Sequence, residues 1–580
     1  MLDLIRGKAK LRNYSTYDLE WVPGTYELRI CGVYDGERYF AYKSIADFLT
    51  GQLTSANRGR WFYAHAGGMA DIQFIFDEIY KSNDYYLSAS FSGSSAIIVN
   101  VHQGKNVWHF VDSFWLFRDS LANIGKSIGI RKTGPKINEA NEEEVKAWYT
   151  NAPLYELVDY NKNDCVILWK AISEFEKYLL SIGGQLQKTI ASCAMTLFRR
   201  SYLVKPIETN KGLNDIVKKS YYASRVEVFN SHCENARYYD INSSFPYAMT
   251  FSQPGNLLEI LETLPDYLLD DKQPFFADVS ITVPDMYCPP IPYRIENRIF
   301  FPTGSWRAWL TGIDVVLLLQ VGGTIDKVHE VLVFEPLHDL SNYAMDLYTK
   351  RKQSVDHFER ITYKYLLNSL YGKFAESEFK DQIHINPGLD VLQKLDRDNM
   401  VMPGVWYEER EAKIPHQHVP ISSYITARAR KTLYDYMSQS DEFHYCDTDG
   451  FSTDSTYDES PELGGLKLEK IIHNGYFYHP KIYKLEGATP DGKQLRTWVK
   501  AKGFSLGKGH ESHQRFDTLV RGLELEINRM CRIRENLRDN NLKPRDVKIT
   551  KRVKFDTIPK RFTYPDGSTR PWHRDEIVID

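Results

Sequence analysis

The chain lacks the features that would send it to a membrane, a secretory route or a metal-stapled scaffold. No apolar run approaches the roughly 20 residues that a helix needs to cross a bilayer. The opening Met1-Leu2-Asp3-Leu4-Ile5-Arg6-Gly7-Lys8 has no apolar stretch of signal-peptide type, so secretion is not expected. Cysteine is sparse, with seven residues in 580 (Cys31, Cys165, Cys193, Cys233, Cys288, Cys446 and Cys531), odd in number and with no CxxC pair. These read as reduced thiols of a cytosolic compartment, not as a disulfide framework. Internal repeats, low-complexity tracts and long linkers are also missing. Net charge is small, at −3, so the total does not advertise a nucleic-acid partner.

The charge is segregated, however. Residues 493–561 hold 19 Lys and Arg against 8 Asp and Glu, which leaves the rest of the chain acidic. A phosphate-binding C-terminal part or a solvated helix surface would each produce that polarity. Tyrosine is abundant, at 38 residues, which suits base stacking but equally suits core filling. Strand-like runs at 26–33, 96–101 and 107–111 alternate with helices and predict an α/β first domain. Val166, Trp169, Ile172, Phe175 and Leu179 recur at helical spacing, predicting a helix over 164–182 that Gly183-Gly184 stops.

Carboxylates sit where strands should end. Asp447 and Asp449 lie one residue apart in Tyr445-Cys446-Asp447-Thr448-Asp449-Gly450, after a strand-like Phe443-His444-Tyr445. Asp240 ends the aromatic run Tyr238-Tyr239-Asp240. Such tips concentrate negative charge that a divalent cation would make tolerable. Between them, Arg360, Lys364, Asn368 and Tyr371 line one face of a predicted helix while Leu366, Leu367 and Leu370 face inward. Lys352 is expected to join that face. Two cations, an amide and an aromatic are poor core material but suit a triphosphate with a base stacked beyond it. Alone, such a stripe would be read as a solvated basic helix.

Together these pieces resemble family B DNA polymerases. Tyr238 to Pro246 is similar to motif A, Asn368-Ser369-Leu370-Tyr371-Gly372 to motif B and Tyr445 to Gly450 to motif C, in the correct order. The resemblance implies that Asp240 and Asp449 bind two catalytic Mg²⁺ ions (Mn²⁺ substituting) with Asp447 in support. It implies that Lys364, Arg360 and Lys352 hold the triphosphate, and that Asn368 and Tyr371 pack on the nascent base pair. Phe245 stands where the family usually has Tyr under the sugar, Ser244 replaces Leu and Gly450 replaces Ser. Lys481-Ile482-Tyr483 resembles the element that holds the primer, with Lys481 and Tyr483 as its contacts. Thr426-Ala427-Arg428-Ala429-Arg430 resembles one that touches template-primer through Thr426 and Arg430.

A second set resembles the three motifs of a 3′–5′ exonuclease: Asp18-Leu19-Glu20, then His65 to Asp71, then Tyr160 to Asp164. By that likeness Asp18, Glu20, Asp71 and Asp164 bind two metals and Tyr160 orients the attacking water. Ser120-Leu121 and His65 would hold single-stranded DNA. Ala66 replaces an Asn, Ala70 an aromatic and Trp21 a Thr, departures that imply weaker strand positioning. Tyr221-Tyr222-Ala223-Ser224 resembles the linker between exonuclease and palm.

The length, the long spacing from motif A to B and the extra segment from B to C resemble the protein-primed branch found in phages and linear plasmids. The implied fold is α/β and α+β, multidomain. It has an RNase H-like exonuclease domain (1–187) and a right-hand polymerase domain (188–580) with two insertions. The expected palm is 188–252 and 421–515, the first insertion 253–348, the fingers 349–385, the second insertion 386–420 and the thumb 516–580. The implied partners are template-primer DNA, dNTPs and a terminal protein (a nucleic-acid-primed or self-priming family B polymerase being the alternative), with no membrane, for a monomer in a host cytoplasm or an organelle. Gly503 to Gly509 has the wrong spacing for a P-loop and reads as a basic turn. His416, His418, His510 and His513 lack a third ligand and read as surface histidines. Leu519, Leu523, Ile527 and Met530 are expected on one helix as the thumb's core face. A non-catalytic DNA-binding protein on this fold would be expected to lose carboxylates, and none of the seven is lost. A stand-alone nuclease would not need motif B.

Overall fold

The structure, a computed structural model, describes residues 1–577 apart from 136, 138–140, 441, 505, 508–509 and 554–557. Positions 505, 508 and 509 of the basic turn therefore lie outside the described residues, as does the side chain of His510.

Two large sheets organise the chain. The N-terminal sheet is built on Tyr14–Trp21, whose buried aromatic and β-branched residues favour a strand. It pairs in parallel with Trp61–Ala64, which pairs in parallel with Asn106–Asp112. Antiparallel strands Leu28–Tyr34 and Tyr39–Tyr42 extend one side, and Ser95–Gln103 and Tyr86–Ser92 the other. This is the α/β arrangement predicted for the first domain. The helix against it runs over Leu154–Ser181, ten residues earlier than expected. Tyr160 and Asp164 therefore lie inside the helix and do not open it. Gly183, with φ +84°, ends it.

The second sheet has seven antiparallel strands, in the order Leu495–Ala501, Ile482–Ala488, Leu466–His479, His232–Ile241, Gly450–Thr453, Phe443–Asp447 and Val226–Val228. Helix Val419–Met437 covers it through Leu433 and Met437, which pack on Tyr239, Phe443, Cys446 and Phe451. Inserted in sequence between strands His232–Ile241 and Phe443–Asp447 of this second sheet, Gln253–Leu261, Thr324–Leu337, Phe275–Val283 and Gly304–Thr311 form a separate four-stranded sheet backed by helix Gly312–Gln320. Two helices follow, Asp339–Gln353 and His357–Ser369. Leu366, Leu367 and Leu370 share one core with Phe175 and Leu179 of the long N-terminal-domain helix and with Ile421 and Ile425. Each such fully buried leucine contributes about 2 kcal/mol, so both halves of the chain are joined by apolar packing.

Three expectations need correction. The helical pair begins at Asp339, inside the segment expected as the first insertion, and Lys352 lies on a different helix from Arg360. Strand Phe379–Ile385, expected in the fingers, pairs with Tyr86–Ser92 and with Val405–Glu411. Together with Met400–Met402, these strands extend the N-terminal sheet to ten. Ile383, Ile385 and Val405 supply the reason, since all three are fully buried against Leu87 and Ala89. Finally, helix His510–Val520 stops before Gly522 (φ +75°), Leu523 is exposed, and Ile527 and Met530 lie on strand Leu525–Met530. A hairpin with Asp546–Lys551 replaces the expected continuous stripe.

Replacing Ile383 with Ala should lower stability by about 2–5 kcal/mol and speed proteolytic cutting in 386–404. Denaturant unfolding and timed proteolysis check both. Wild-type cutting would mean that the ribbon is not held by that core.

Candidate active sites

The first carboxylate centre is made by three neighbouring strands. Gly450 pairs with Asp240 and Asp447 pairs with Gly450, so Thr448 and Asp449 form a two-residue hairpin loop. The Ile241 amide donates to the Asp449 carbonyl at 2.7 Å, which fixes Asp240 and Asp449 beside each other. Thr448 has φ +69°, a strained conformation for a β-branched residue. Its amide donates to the Arg225 carbonyl at 2.9 Å, and Arg225 is itself held by a buried ion pair with Glu227 at 2.5 Å. A Cβ at Gly450 would stand 2.8 Å from the Tyr238 hydroxyl. The buried phenol of Tyr238 thus explains why glycine, not serine, follows Asp449.

The electrostatics separate the three acids. Asp240 is pushed up to about 7, first by burial and then by Asp449 and Glu469, against the pull of Lys470 and Lys467. Asp449 is raised by burial and by Asp447. Asp447 is also buried, but Lys481 and Lys500 outweigh that and hold it below the ordinary carboxylate range. Their Nζ atoms lie 2.8 and 3.2 Å from its two oxygens.

Helix His357–Ser369 buries Phe358, Thr362, Tyr363, Leu366 and Leu367 and leaves Arg360, Lys364 and Asn368 exposed on one face, as predicted. At its end, Tyr371 stacks on Phe245 with centroids 4.2 Å apart and rings 9° from parallel. Burial, Tyr221 and Asp449 raise the Tyr371 phenol to about 12, which ties that stack to the carboxylates. Lys352 departs from expectation: it is paired with Glu462 at 2.7 Å. Thr426 and Arg430 also depart. Both are buried, and Arg430 donates to Asp314 at 3.0 Å and to the Tyr222 carbonyl at 2.8 Å. Arg430 thereby locks helix Val419–Met437 to the four-stranded sheet's helix, while Thr426 donates within its own helix to the Ser423 carbonyl at 3.0 Å. Tyr483 is buried against Tyr445.

The second centre lies on the N-terminal sheet. Asp18 and Glu20 alternate along one strand and so share a face. Asp71 opens helix Asp71–Lys81 and accepts from the Leu19 amide at 3.1 Å. Asp164 reaches in from the long helix. Burial, then Glu20, Asp164 and Asp71, holds Asp18 well above its ordinary value. Burial lifts Glu20 to about 7 and Asp71 to about 7. Among the described residues, Glu20 Oε1 and Asp164 Oδ1 are buried without a hydrogen-bond partner.

Sequence reasoning missed several residues here. Lys132 Nζ lies 2.6 Å from Asp164 Oδ2 and 5.1 Å from the centre of the Tyr160 ring. Asn161 donates to Asp18 Oδ2 at 3.1 Å. Asp112, pushed up to about 6 by burial, accepts from the Gly68 amide at 3.2 Å. Asn161 sat inside a quoted motif, but Lys132 and Asp112 had no spacing signal. His65 does not point at a free strand site. Its two nitrogens are taken by Ser113 Oγ at 3.0 Å and the Asp119 carbonyl at 2.9 Å. Ser120 caps helix Leu121–Ser127, and the serine that reaches His65 is Ser113.

Among the described residues, no three His, Cys, Asp or Glu side chains close on a common point as they stand. The donor sets nevertheless fit divalent cations. Each is an all-oxygen group of half-buried to buried carboxylates set close together, and the second has orphaned acceptor atoms among the described residues.

The profile of the family "DNA polymerase type B, organellar and viral" matches residues 136–449, more than half of the chain. The chain belongs to that family, as the ordered motifs implied. A "Probable DNA polymerase" of Ascobolus immersus is 27% identical over 554 residues, 82% of this chain and 46% of that protein. A second such protein, from Podospora anserina, is 26% identical over 70% of this chain and 40% of its own length. The chain thus spans less than half of these fungal relatives. The "DNA-directed DNA polymerase" of Enterobacteria phage PRD1 is 26% identical over 82% of each chain. In fold, the chain is similar to Phi29 DNA polymerase, with a TM-score of 0.73 at 17% identity over 94% of this chain and 100% of that one. Phi29 DNA polymerase is also known complexed with primer-template DNA and incoming nucleotide, and that structure has a TM-score of 0.72.

A carboxyl whose folded pKa is raised favours folding while protonated. For Asp71 that contribution is complete below its ordinary value of 3.8 and is lost as pH rises through about 7. In chelator, the melting temperature should therefore fall between pH 5 and pH 8, and Asp71→Asn should flatten part of that fall. Magnesium should raise the melting temperature more at pH 8 than at pH 5. Parallel melting curves for wild type and variant would refute this account.

Proposed function

We propose that the chain is a DNA-directed DNA polymerase that extends a primer 3′ end with deoxynucleotides, and that its N-terminal centre is a 3′–5′ exonuclease. The observation that carries the polymerase reading is the strand register that sets Asp240 beside Asp449, with their charges unbalanced, while Asp447 is neutralised by two lysines.

Asp240 and Asp449 would hold the two magnesium ions. When bound, those ions supply the positive charge that activates the 3′-hydroxyl and offsets charge on the leaving pyrophosphate. The chain's own groups supply position. Arg360 and Lys364, exposed on one helix face, would bind the triphosphate. Tyr371 and Phe245 form a stacked aromatic pair that would sit against the incoming base and sugar. A phenylalanine ring blocks a 2′-hydroxyl by bulk alone, without the phenolic oxygen usual at that position. Lys481 would meet the primer strand.

In the N-terminal centre, Asp18, Glu20, Asp71 and Asp164 would hold metal, with Asn161 orienting Asp18 and Lys132 fixing Asp164. Tyr160 would orient the attacking water. The template-primer and incoming nucleotides seen with Phi29 DNA polymerase support DNA and dNTPs as partners here. Protein priming, by a hydroxyl of a separate terminal protein, follows from the resemblance to the phage and plasmid branch. So do processive, strand-displacing synthesis and a home in the compartment where such a genome replicates.

Primer extension in Mg²⁺ should fall by at least about a thousandfold in Asp449→Ala, about 4 kcal/mol of transition-state stabilisation. Equal extension by both proteins would exclude a polymerase site at Asp449. Degradation of a 5′-labelled single strand should be abolished by Asp18→Ala while primer extension persists, and unchanged degradation would remove the exonuclease assignment.

A further inference from the structure

We infer that Lys500 is a positioning residue of the carboxylate centre, keeping Asp447 paired and in place when Lys481 is drawn to the primer. This rests on the polymerase reading.

Asp447 is a buried carboxylate, with 5% of its side chain exposed, and each oxygen has its own cation: Lys481 at 2.8 Å on Oδ1 and Lys500 at 3.2 Å on Oδ2. The two lysines are not equivalent. Lys481 sits at φ +64° in the tight turn between strands Leu466–His479 and Ile482–Ala488. Its amide donates to the Tyr445 hydroxyl at 3.0 Å. Lys500 comes from the regular strand Leu495–Ala501, directly opposite Tyr483, with its Nζ 5.7 Å from the centre of that ring. Lys500 thus reaches Asp447 from a separate strand, independently of the turn that carries Lys481.

The need for a second lysine follows from the charges. A phosphate at Lys481 would compete with Asp447 for that ammonium group. If Lys500 were absent, Asp447 would then be buried without a counter-charge, which is costly. Its neighbours offer no relief, since Asp449 repels it and Thr448 adds only a hydroxyl at 3.3 Å from Oδ1. Rotation of Asp447 would disturb the strained two-residue loop that carries Asp449. Lys500 prevents that without itself meeting substrate.

The test compares Lys500→Met, Lys500→Arg and wild type in the full chain, with saturating primer-template and Mg²⁺. The expected result is a fall in kcat of at least about tenfold for Lys500→Met. The KM for dNTP and the Kd for primer-template should stay within about twofold of wild type on the same reasoning, and Lys500→Arg should recover most of the kcat. Lys500→Gln, assayed at lower temperature, replaces Lys500→Met if melting shows that the latter is unfolded. A wild-type kcat in the neutral variant, a loss confined to primer affinity, or no recovery with arginine overturns the inference while leaving the polymerase reading intact. No extension by wild type removes both.

Discussion

Like charges buried together and left unbalanced are the constraint around which this molecule is arranged. Asp240 and Asp449 at one centre, and Asp18, Glu20, Asp71 and Asp164 at the other, are held where burial, joined at all but Asp164 by neighbouring acids, favours the protonated form. Such placement works against stability. It persists because strand pairing, a buried Arg225–Glu227 ion pair and a helix N-terminus fix the backbone beneath the acids. The same burial that makes the acids costly to ionise makes a divalent cation a strong ligand for them.

The two centres solve this with different partial remedies. On the seven-stranded sheet, two lysines neutralise one acid of three, leaving a pair. On the N-terminal sheet, one lysine engages Asp164, and two carboxylate oxygens have no hydrogen-bond partner among the described residues. Each remedy uses a lysine supplied by a neighbouring segment of the chain, so the charge balance depends on tertiary packing.

The centres are also mechanically connected. Helix Leu154–Ser181, which carries Asp164, shares its core with helix His357–Ser369, which carries the basic face. The ribbon 379–411 leaves the end of that second helix and joins the N-terminal sheet. A further tie comes from the C-terminal part, where Arg534 pairs with Asp381 and stacks over Tyr407. The proposed polymerase and exonuclease activities, acting on one strand end, would need such a shared frame to keep both sites at fixed separation.

Local chemistry written in adjacent residues was legible without coordinates. Carboxylates at strand ends, the spacing of Arg360, Lys364 and Asn368, and the inward leucines between them depend only on helical and strand periods, which neighbours in the chain impose. Interactions between distant segments were not legible. Lys132 meets Asp164 across 32 positions, Arg430 meets Asp314 across 116 and strand Phe379–Ile385 finds Tyr86–Ser92 across nearly 300. Nothing in the residues themselves distinguishes a buried, paired Arg430 from an arginine that waits for a phosphate, because an ion pair is a property of two positions. The chain's order of motifs therefore sufficed to identify the family. Which acids carry free charge, and which cations are spent inside the fold, emerged only once folding had brought remote partners within a few ångströms.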